Sequence, residues 1–457
     1  MNLPLHTQAL DGFLPNTHPL SPGSAFTHLP ALSKPLIAYA AEDIWQQDTR
    51  TLPRALQKLR GRCRDFAQQH MRPHALALDA APHLPIGELH PAQRDLLSAA
   101  GRQGFLTDLL PAPIGTAPLL NFRYPLTLQV ALKIEEFAAA CPGQMLLLGA
   151  HNLGLGPLLM AADIKALFKF VRPAFRQTLR GDPHLFAFAI TEPAAGSDVE
   201  EGHGASLLKP GVVARKVAGG YVLNGRKCFI SGGDIAKSIT VFAALEGEGM
   251  ESWSCFLVHS AMPGFERVRS ELKMGMRASA AAELNFQNVF VPSSHLIGKE
   301  RQGWAINRAT LNYSRIPVAA MAVGIARAAC EISMEFCSQH QLGGKRLLDF
   351  QHIQLQLADM LASTRAIRAF TWQTANQFVP RQGLSAASKF YCTDVAMQVC
   401  ENALDILGNQ SLAQQQGIEK LFRDARLTQI FEGTNQINRL SLIEDMQEYF
   451  LALADKE

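Results

Sequence analysis

A chain of 457 residues exceeds what one hydrophobic core usually fills and predicts two or three domains sharing a large interior. Hydrophobic residues make up 47% and charged residues 18%, which excludes a disordered or fibrous chain. With 43 basic against 40 acidic side chains the formal charge is +3, so bulk charge selects neither nucleic acid nor an anionic membrane as partner.

Residues 1 to about 45 carry Pro4, Pro15, Pro19, Pro22, Pro30 and Pro35, which exclude a regular helix or central strand and predict an arm or tail. No apolar leader follows the start, and no run reaches the roughly 18 apolar residues of a membrane span. The expected location is cytoplasmic. The eight cysteines form no CxxC pair and no cluster at zinc-ligand spacing, so they read as thiols of a reducing compartment, with no metal site.

From about 46 to 183, segments such as TLPRALQKLRGRCRDFAQQH and ADIKALFKFVRPAFRQTL repeat apolar residues every three and four positions and predict a helical domain. The period then becomes two. HLFAFAIT, GVVARKV, YVLNGRKCFIS, SITVFAAL, SWSCFLVHS and AAELNFQNVFVP predict strands of a β-domain over 184–295. Long helical patterns return at about 304–338, 349–379, 384–407 and 418–431, a bundle over 296–457. The order helical, sheet, helical is α+β, without the βαβ alternation of a dinucleotide fold.

Three segments carry side chains capable of chemistry. Thr191 to Asp198, TEPAAGSD, is a polar loop directly after an apolar strand. It can offer a hydroxyl and backbone N–H groups to an oxygen-rich ligand, and a surface turn accounts for it equally well. In KCFISGG, Phe229 and Ser231 fall on one strand face, which suits an aromatic wall beside a hydroxyl or an ordinary core aromatic. In RDARLTQIFEGTNQINR, Glu432 and Gly433 interrupt the helical pattern and leave a carboxylate at a helix C-terminus; a solvated helix end would read the same.

Taken together and in order, ITEPAAGSDV, GYVLNGRKCFIS, KMGMRAS, VPSSHLIG and EKLFRDARLTQIFEGTNQINR resemble the recurrent blocks of the acyl-CoA dehydrogenase family over roughly residues 90 to 450. The resemblance implies an N-terminal helical domain, a middle β-barrel-like domain and a C-terminal four-helix bundle. It also implies FAD and the oxidation of an acyl thioester to its trans-2-enoyl form. Such a reaction needs a base on one side of the acyl chain and a hydride acceptor on the other. By resemblance Glu432 is the base and Arg315 lies beside it at the thioester end. Thr191, Ser197, Phe229, Ser231, Thr434 and Gln436 contact the cofactor; Ser197, Ser314 and Gly433 contact the substrate. Some branches carry their base at the position of Ser314, so here no second carboxylate competes. Phe229 and Ser231 stand where a tryptophan and a threonine are usual, keeping an aromatic face and a hydroxyl.

The implied carrier is CoA, with an acyl-carrier-protein thioester as a variant. The implied acceptor is an electron-transfer flavoprotein, and the implied assembly is a homodimer or homotetramer. A related flavin oxidase or monooxygenase, or a non-catalytic binding protein with a degraded FAD site, are the competing functions. The acyl tail is expected near LKIEEFAAACPGQMLLLG, where Ala138 to Ala140 and Gly143 leave room or merely let helices pack. The pattern breaks on the ADP side of the cofactor. Where Arg-x-x-Phe-Gly is usual the chain reads His340-Gln341-Leu342-Gly343-Gly344, and where Gln-x-x-Gly-Gly-x-Gly is usual it reads Asp405 to Ser411, with Asn409 and Ser411 replacing glycines. A lost guanidinium and a gained carboxylate weaken a diphosphate clamp; Lys345 and Arg346 are the nearby cations that would replace the charge.

Overall fold

Helices form wherever apolar residues recur every three and four positions, and strands wherever they alternate. The computed structural model describes residues 44–82, 84–118, 122–200 and 210–454. The Pro-rich segment therefore lies outside the described residues except for Ile44 and Trp45, which already begin the first helix. The N-terminal part holds α1 (Ile44–Arg50), α2 (Arg54–His70), α3 (Ala75–Ala80), α4 (Pro91–Arg102), α5 (Leu126–Ala140), α6 (Pro142–Met160) and, after a turn and a helical lead-in over Ile164–Ala166 and the π-helical Leu167–Val171, α7 (Arg172–Leu179). Sequence chemistry starts α4 cleanly. His90 Nδ1 accepts from the Ala92 N–H at 3.2 Å while the Gln93 side chain accepts from the His90 N–H at 2.7 Å, with Pro91 at the first helical position.

After the sheet come α8 (Gly303–Gln339), α9 (Gln351–Ala375), α10 (Gln382–Leu407), α11 (Ile418–Thr428) and α12 (Asn435–Ala454). The last helix was not anticipated from periodicity; its first turns carry Asn435, Gln436 and Asn438 where an apolar stripe would show. Among the described residues α8 alone is long and apolar enough to cross a membrane, yet 83% of its apolar window is buried inside the protein. It is the central helix of the bundle. At Gly324 an added Cβ would stand 2.6 Å from the Glu135 carbonyl and 2.8 Å from the Ala138 Cβ, so α8 and α5 touch through backbone. Ala138 and Ala139 are thereby used in helix packing. Gly143 is likewise pressed against the main chain of Met276 and Ala278. Of the two readings of these small residues, close packing accounts for Ala138, Ala139 and Gly143.

Glu135 and Glu136 on α5 anchor a buried ion cluster. Glu136 meets Arg60 at 2.6 Å and Arg327 at 2.8 Å; Glu135 meets Arg327 at 3.1 Å, Arg368 at 3.0 Å and the Trp372 indole N–H at 3.0 Å. Arg368 also stacks 4.4 Å from the Trp372 ring and, like Arg60, donates to the Trp45 carbonyl. One cluster thus ties α1, α2, α5, α8 and α9 together.

Among the described residues the main sheet has eight strands: β1 (Phe186–Ala189), β2 (Val213–Val217), β3 (Gly220–Ser231), β4 (Ser238–Leu245), β5 (Ser254–His259), β6 (Phe265–Ser270), β7 (Ala281–Pro292) and β8 (Leu296–Ile297). Their order is β6-β7-β3-β2-β4-β5-β8, with β1 parallel to β4. The six segments read as strands are strands. β6, FERVRS, escaped notice because it is an edge strand with alternate residues in water and almost no apolar signal. β3 carries a bulge: its register on β7 shifts between Lys227 and Ile230, and Phe229 takes a φ of 55°.

Candidate active site

Glu432 occupies the turn joining α11 to α12, four residues past the end of α11 rather than on its last turn. Its φ is 55° and that of Gly433 is 80°. Left-handed backbone costs a non-glycine residue about 1–2 kcal/mol and persists where its surroundings over-determine it. They do so here. Lys389 on α10, fully buried, donates Nζ to the Gly433 carbonyl at 2.6 Å and to Asn435 Oδ1 at 2.9 Å. Asn438, also fully buried, donates to the carbonyls of Gly433 and Thr434 at 2.9 and 3.0 Å. Asn435 in turn donates to Thr393 Oγ1 at 2.8 Å and Asp394 Oδ1 at 2.7 Å, both on α10. These cradle residues were missed from sequence. The signal present was a lysine inside the apolar run ASKFYC and two asparagines spaced three apart.

The carboxylate has a partner from α8: the Ser314 hydroxyl donates to Glu432 Oε2 at 2.5 Å. Ser197, from the loop after β1, accepts from the Thr434 N–H at 3.0 Å. Ser197, Ser314, Glu432, Gly433 and Thr434 therefore come together from the β-domain and two parts of the bundle. Gln436 is exposed on the first turn of α12. Arg315 is buried on α8. Its charge acts on Glu444, whose carboxyl is held below its usual range chiefly by hydrogen bonds from Arg308, with Arg315 adding to the effect.

On the β side, a buried ion pair fastens the TEP loop to β3. Lys227 meets Glu192 at 2.7 Å and also donates to the Ile190 carbonyl; Glu192 accepts from the N–H groups of Gly211 and Val212. The next residue along, Cys228, donates its N–H to the Thr191 carbonyl at 2.9 Å, which sets Thr191 beside Phe229. Phe229 and Ser231 were expected to share a regular strand face. The bulge replaces that alternation, turning the Phe229 ring outward, 60% exposed, with Ser231 half-buried two residues on. A large aromatic held outside the sheet in a strained conformation, next to two hydroxyls, fits a flat ring system laid against it.

The KMGMRAS stretch braces the same region from below. Asp424 on α11 accepts the Met276 N–H and is itself held by Lys420. An added Cβ at Gly275 would come within 2.5 Å of the Arg423 carbonyl. Gly275→Ala is expected to destabilise the protein by about 2–3 kcal/mol, because backbone rather than a flexible side chain must yield; chemical denaturation checks this, and an unchanged midpoint would contradict the close approach.

The ADP-side segments are different in character. His340 stacks on Phe336 at 3.7 Å, and residues 341–346 form a two-residue hairpin turning on Gly343 and Gly344. Arg346 pairs with Asp349 at 2.9 Å and Lys345 is exposed. Asp405 and Asn409 are exposed at the end of α10, and the Ser411 hydroxyl closes on the Gly408 carbonyl at 2.7 Å. Among the described residues no group of three or more His, Cys, Asp or Glu is placed to hold a metal, and all eight cysteines are buried and unbridged.

Family models now decide the matter, matching the acyl-CoA dehydrogenase N-terminal domain over 53–166, the middle domain over 187–289 and the C-terminal domain over 301–447. The chain belongs to the acyl-CoA dehydrogenase family. It is 35% identical over 383 residues to the cyclohex-1-ene-1-carbonyl-CoA dehydrogenase of Geobacter metallireducens, covering 82% of this chain and 94% of that protein. It is 31% identical to the mitochondrial short-chain specific acyl-CoA dehydrogenase of Mus musculus, over 85% of this chain and 89% of that one. Among solved structures it is similar to butyryl-CoA dehydrogenase from Megasphaera elsdenii, with a TM-score of 0.75 and 29% identity over 90% of this chain and 100% of that chain. This acyl-CoA dehydrogenase is an oxidoreductase of CH–CH bonds in acyl thioesters, in a family that depends on FAD.

Proposed function

We infer that Glu432 removes the α-proton of an acyl thioester, and that FAD, which Phe229 and its neighbours on the bulge of β3 would hold, would supply the acceptor for the β-hydride when bound. The observation that carries this reading is the left-handed Glu432, gripped through its own turn by Lys389 and Asn438 and hydrogen-bonded at its carboxylate by Ser314. Backbone strain of this kind is retained where a side chain must be aimed. Ser314 fixes the rotamer of the base, and Ser197 ties the loop after β1 to the Glu432 turn, so base and substrate entrance move as one. Backbone N–H groups of that turn are the donors available to a developing enolate oxygen. Arg315, close to Ser314 in the chain, supplies positive charge at the thioester end.

For the cofactor, Phe229 offers its face to the flavin, Thr191 and Ser231 their hydroxyls, and Ser197, Thr434 and Gln436 polar contacts from the Glu432 side. The ADP half has poorer support in a single chain, because Arg346 is engaged with Asp349 and the hairpin and the end of α10 face outward. A partner subunit in a homodimer or homotetramer would complete it. The acceptor of the electrons is an electron-transfer flavoprotein, as the family reading implies. Phe229→Ala is expected to weaken FAD retention about fivefold, the loss of one stacking face. Flavin content after gel filtration measures it, and equal retention would remove Phe229 from the flavin site.

A further inference from the structure

One surface of the N-terminal domain is strongly cationic and takes no part in the chemistry above. Lys165, Lys169, Arg172, Arg176 and Arg180 recur every three or four residues through the segment that ends in α7. They lie on the side away from buried Leu167, Val171, Phe175 and Thr178, with four of the five exposed and Arg172 half-buried. Arg102 joins them at the end of α4, its guanidinium beside Gly181. None of the six forms an ion pair among the described residues. The flanking acids are occupied: Asp163 caps the Ala166 N–H at 3.1 Å, and Asp182 binds Gln177 at 2.5 Å and Lys237 at 3.3 Å. Two apolar side chains stand out between the cations, Ile164 at 61% and Phe168 at 42% exposure. Arg172 lies 5.5 Å from the Phe168 ring and Lys169 4.8 Å from that of Phe170, so part of the charge is held in place by aromatic faces.

A chain of contacts leads from the stripe to the loop that carries Ser197. Lys169 donates to Ser294 at 2.8 Å, in the turn that leads to β8. Next to that turn, Gly298 sits against Ala161 of the N-terminal domain and Ile306 of α8. Two residues earlier on α8, Trp304 donates to the Val199 carbonyl at 3.0 Å, in the loop whose Ser197 holds Thr434. A row of five cations with Arg102 beside it, none in an ion pair among the described residues, attracts a complementary acidic surface and steers its approach in a protein of net charge +3.

We propose that the α7 stripe is the docking surface for an acidic acyl carrier protein, which delivers the acyl group on its pantetheine arm to the Glu432 site. The proposal rests on the dehydrogenase reading and names the carrier of its substrate. Anionic helical carrier surface meets Lys165, Lys169, Arg172, Arg176 and Arg180, Ile164 and Phe168 fill its apolar centre, and the arm enters past the 197–199 loop.

The test uses the full chain, an acidic acyl carrier protein bearing butyryl to decanoyl groups, and the same acyl groups on CoA. The variant K165E/K169E/R176E alters exposed side chains only. Reversal is expected to weaken carrier binding at low ionic strength by at least about tenfold and to flatten its salt dependence, while affinity and turnover with acyl-CoA stay within about twofold. Carrier affinity untouched by the reversal, or no carrier binding by the parent at low salt, would overturn the proposal. Binding to phosphatidylglycerol vesicles that the reversal abolishes while carrier binding is unaffected would assign the stripe to a membrane and overturn it equally. If neither set of thioesters bleaches the flavin, the dehydrogenase reading fails, and the carrier-binding comparison still decides the docking surface.

Discussion

Glu432→Gln is expected to lower kcat for acyl-CoA oxidation by about 10³-fold, the range spanned by loss of a positioned general base, with KM and bound flavin little changed. Glutamine keeps the size and the ability to accept from Ser314, so the turn clamped by Lys389, Asn435 and Asn438 has no reason to move. What disappears is the proton acceptor. Steady-state assay with an artificial electron acceptor, beside flavin content and a thermal melt, separates this from misfolding. A variant that lost flavin or stability in proportion to its activity would show Glu432 to be a structural residue of the turn.

The second large effect belongs to the buried ion cluster. Glu136→Ala leaves the guanidiniums of Arg60 and Arg327 facing a vacated partner in the core, and removal of one side of such a pair costs about 3–5 kcal/mol. Glu136→Gln, which preserves shape, is expected to lose less. The arginine charges around Glu135 and Glu136 hold both carboxyls below the ordinary value of 4.5 despite the opposing effect of burial. A depressed folded-state pKa contributes stability that is present above the unfolded value and lost as pH falls toward the folded one. Denaturant midpoints are therefore expected to be flat from neutrality to about pH 5 and to drop below about 4.5. In Glu136→Ala that acid-side loss should be smaller; an identical acid slope would mean the cluster does not set it.

Periodicity made most of the fold legible, since six of the eight strands and the long helices carry their burial pattern in their own residues. It failed where burial is decided elsewhere. β6 is polar because it is an edge, and α12 opens with the asparagines that hold the Glu432 turn. Glu432, Ser197 and Ser314 were legible because the family blocks place them. Their meeting across three segments is visible only in the structure. The partners of the site were hidden for the same reason: Lys389 looks like a charge stranded in an apolar helix until Gly433 and Asn435 are brought to it, and Glu192 and Lys227 are separated by 35 residues of sequence. Phe229 shows the limit of strand alternation, because one bulge turns an aromatic out of the sheet and leaves it exposed.

Anaerobic titration of the flavin-loaded protein with acyl-CoA thioesters of graded length and branching reads the coupling of Glu432 to flavin reduction. The parent is expected to bleach to an extent that depends on the acyl group, and Glu432→Gln, carrying the same flavin, is expected not to bleach on the same timescale. Bleaching of the variant as fast as the parent would contradict it.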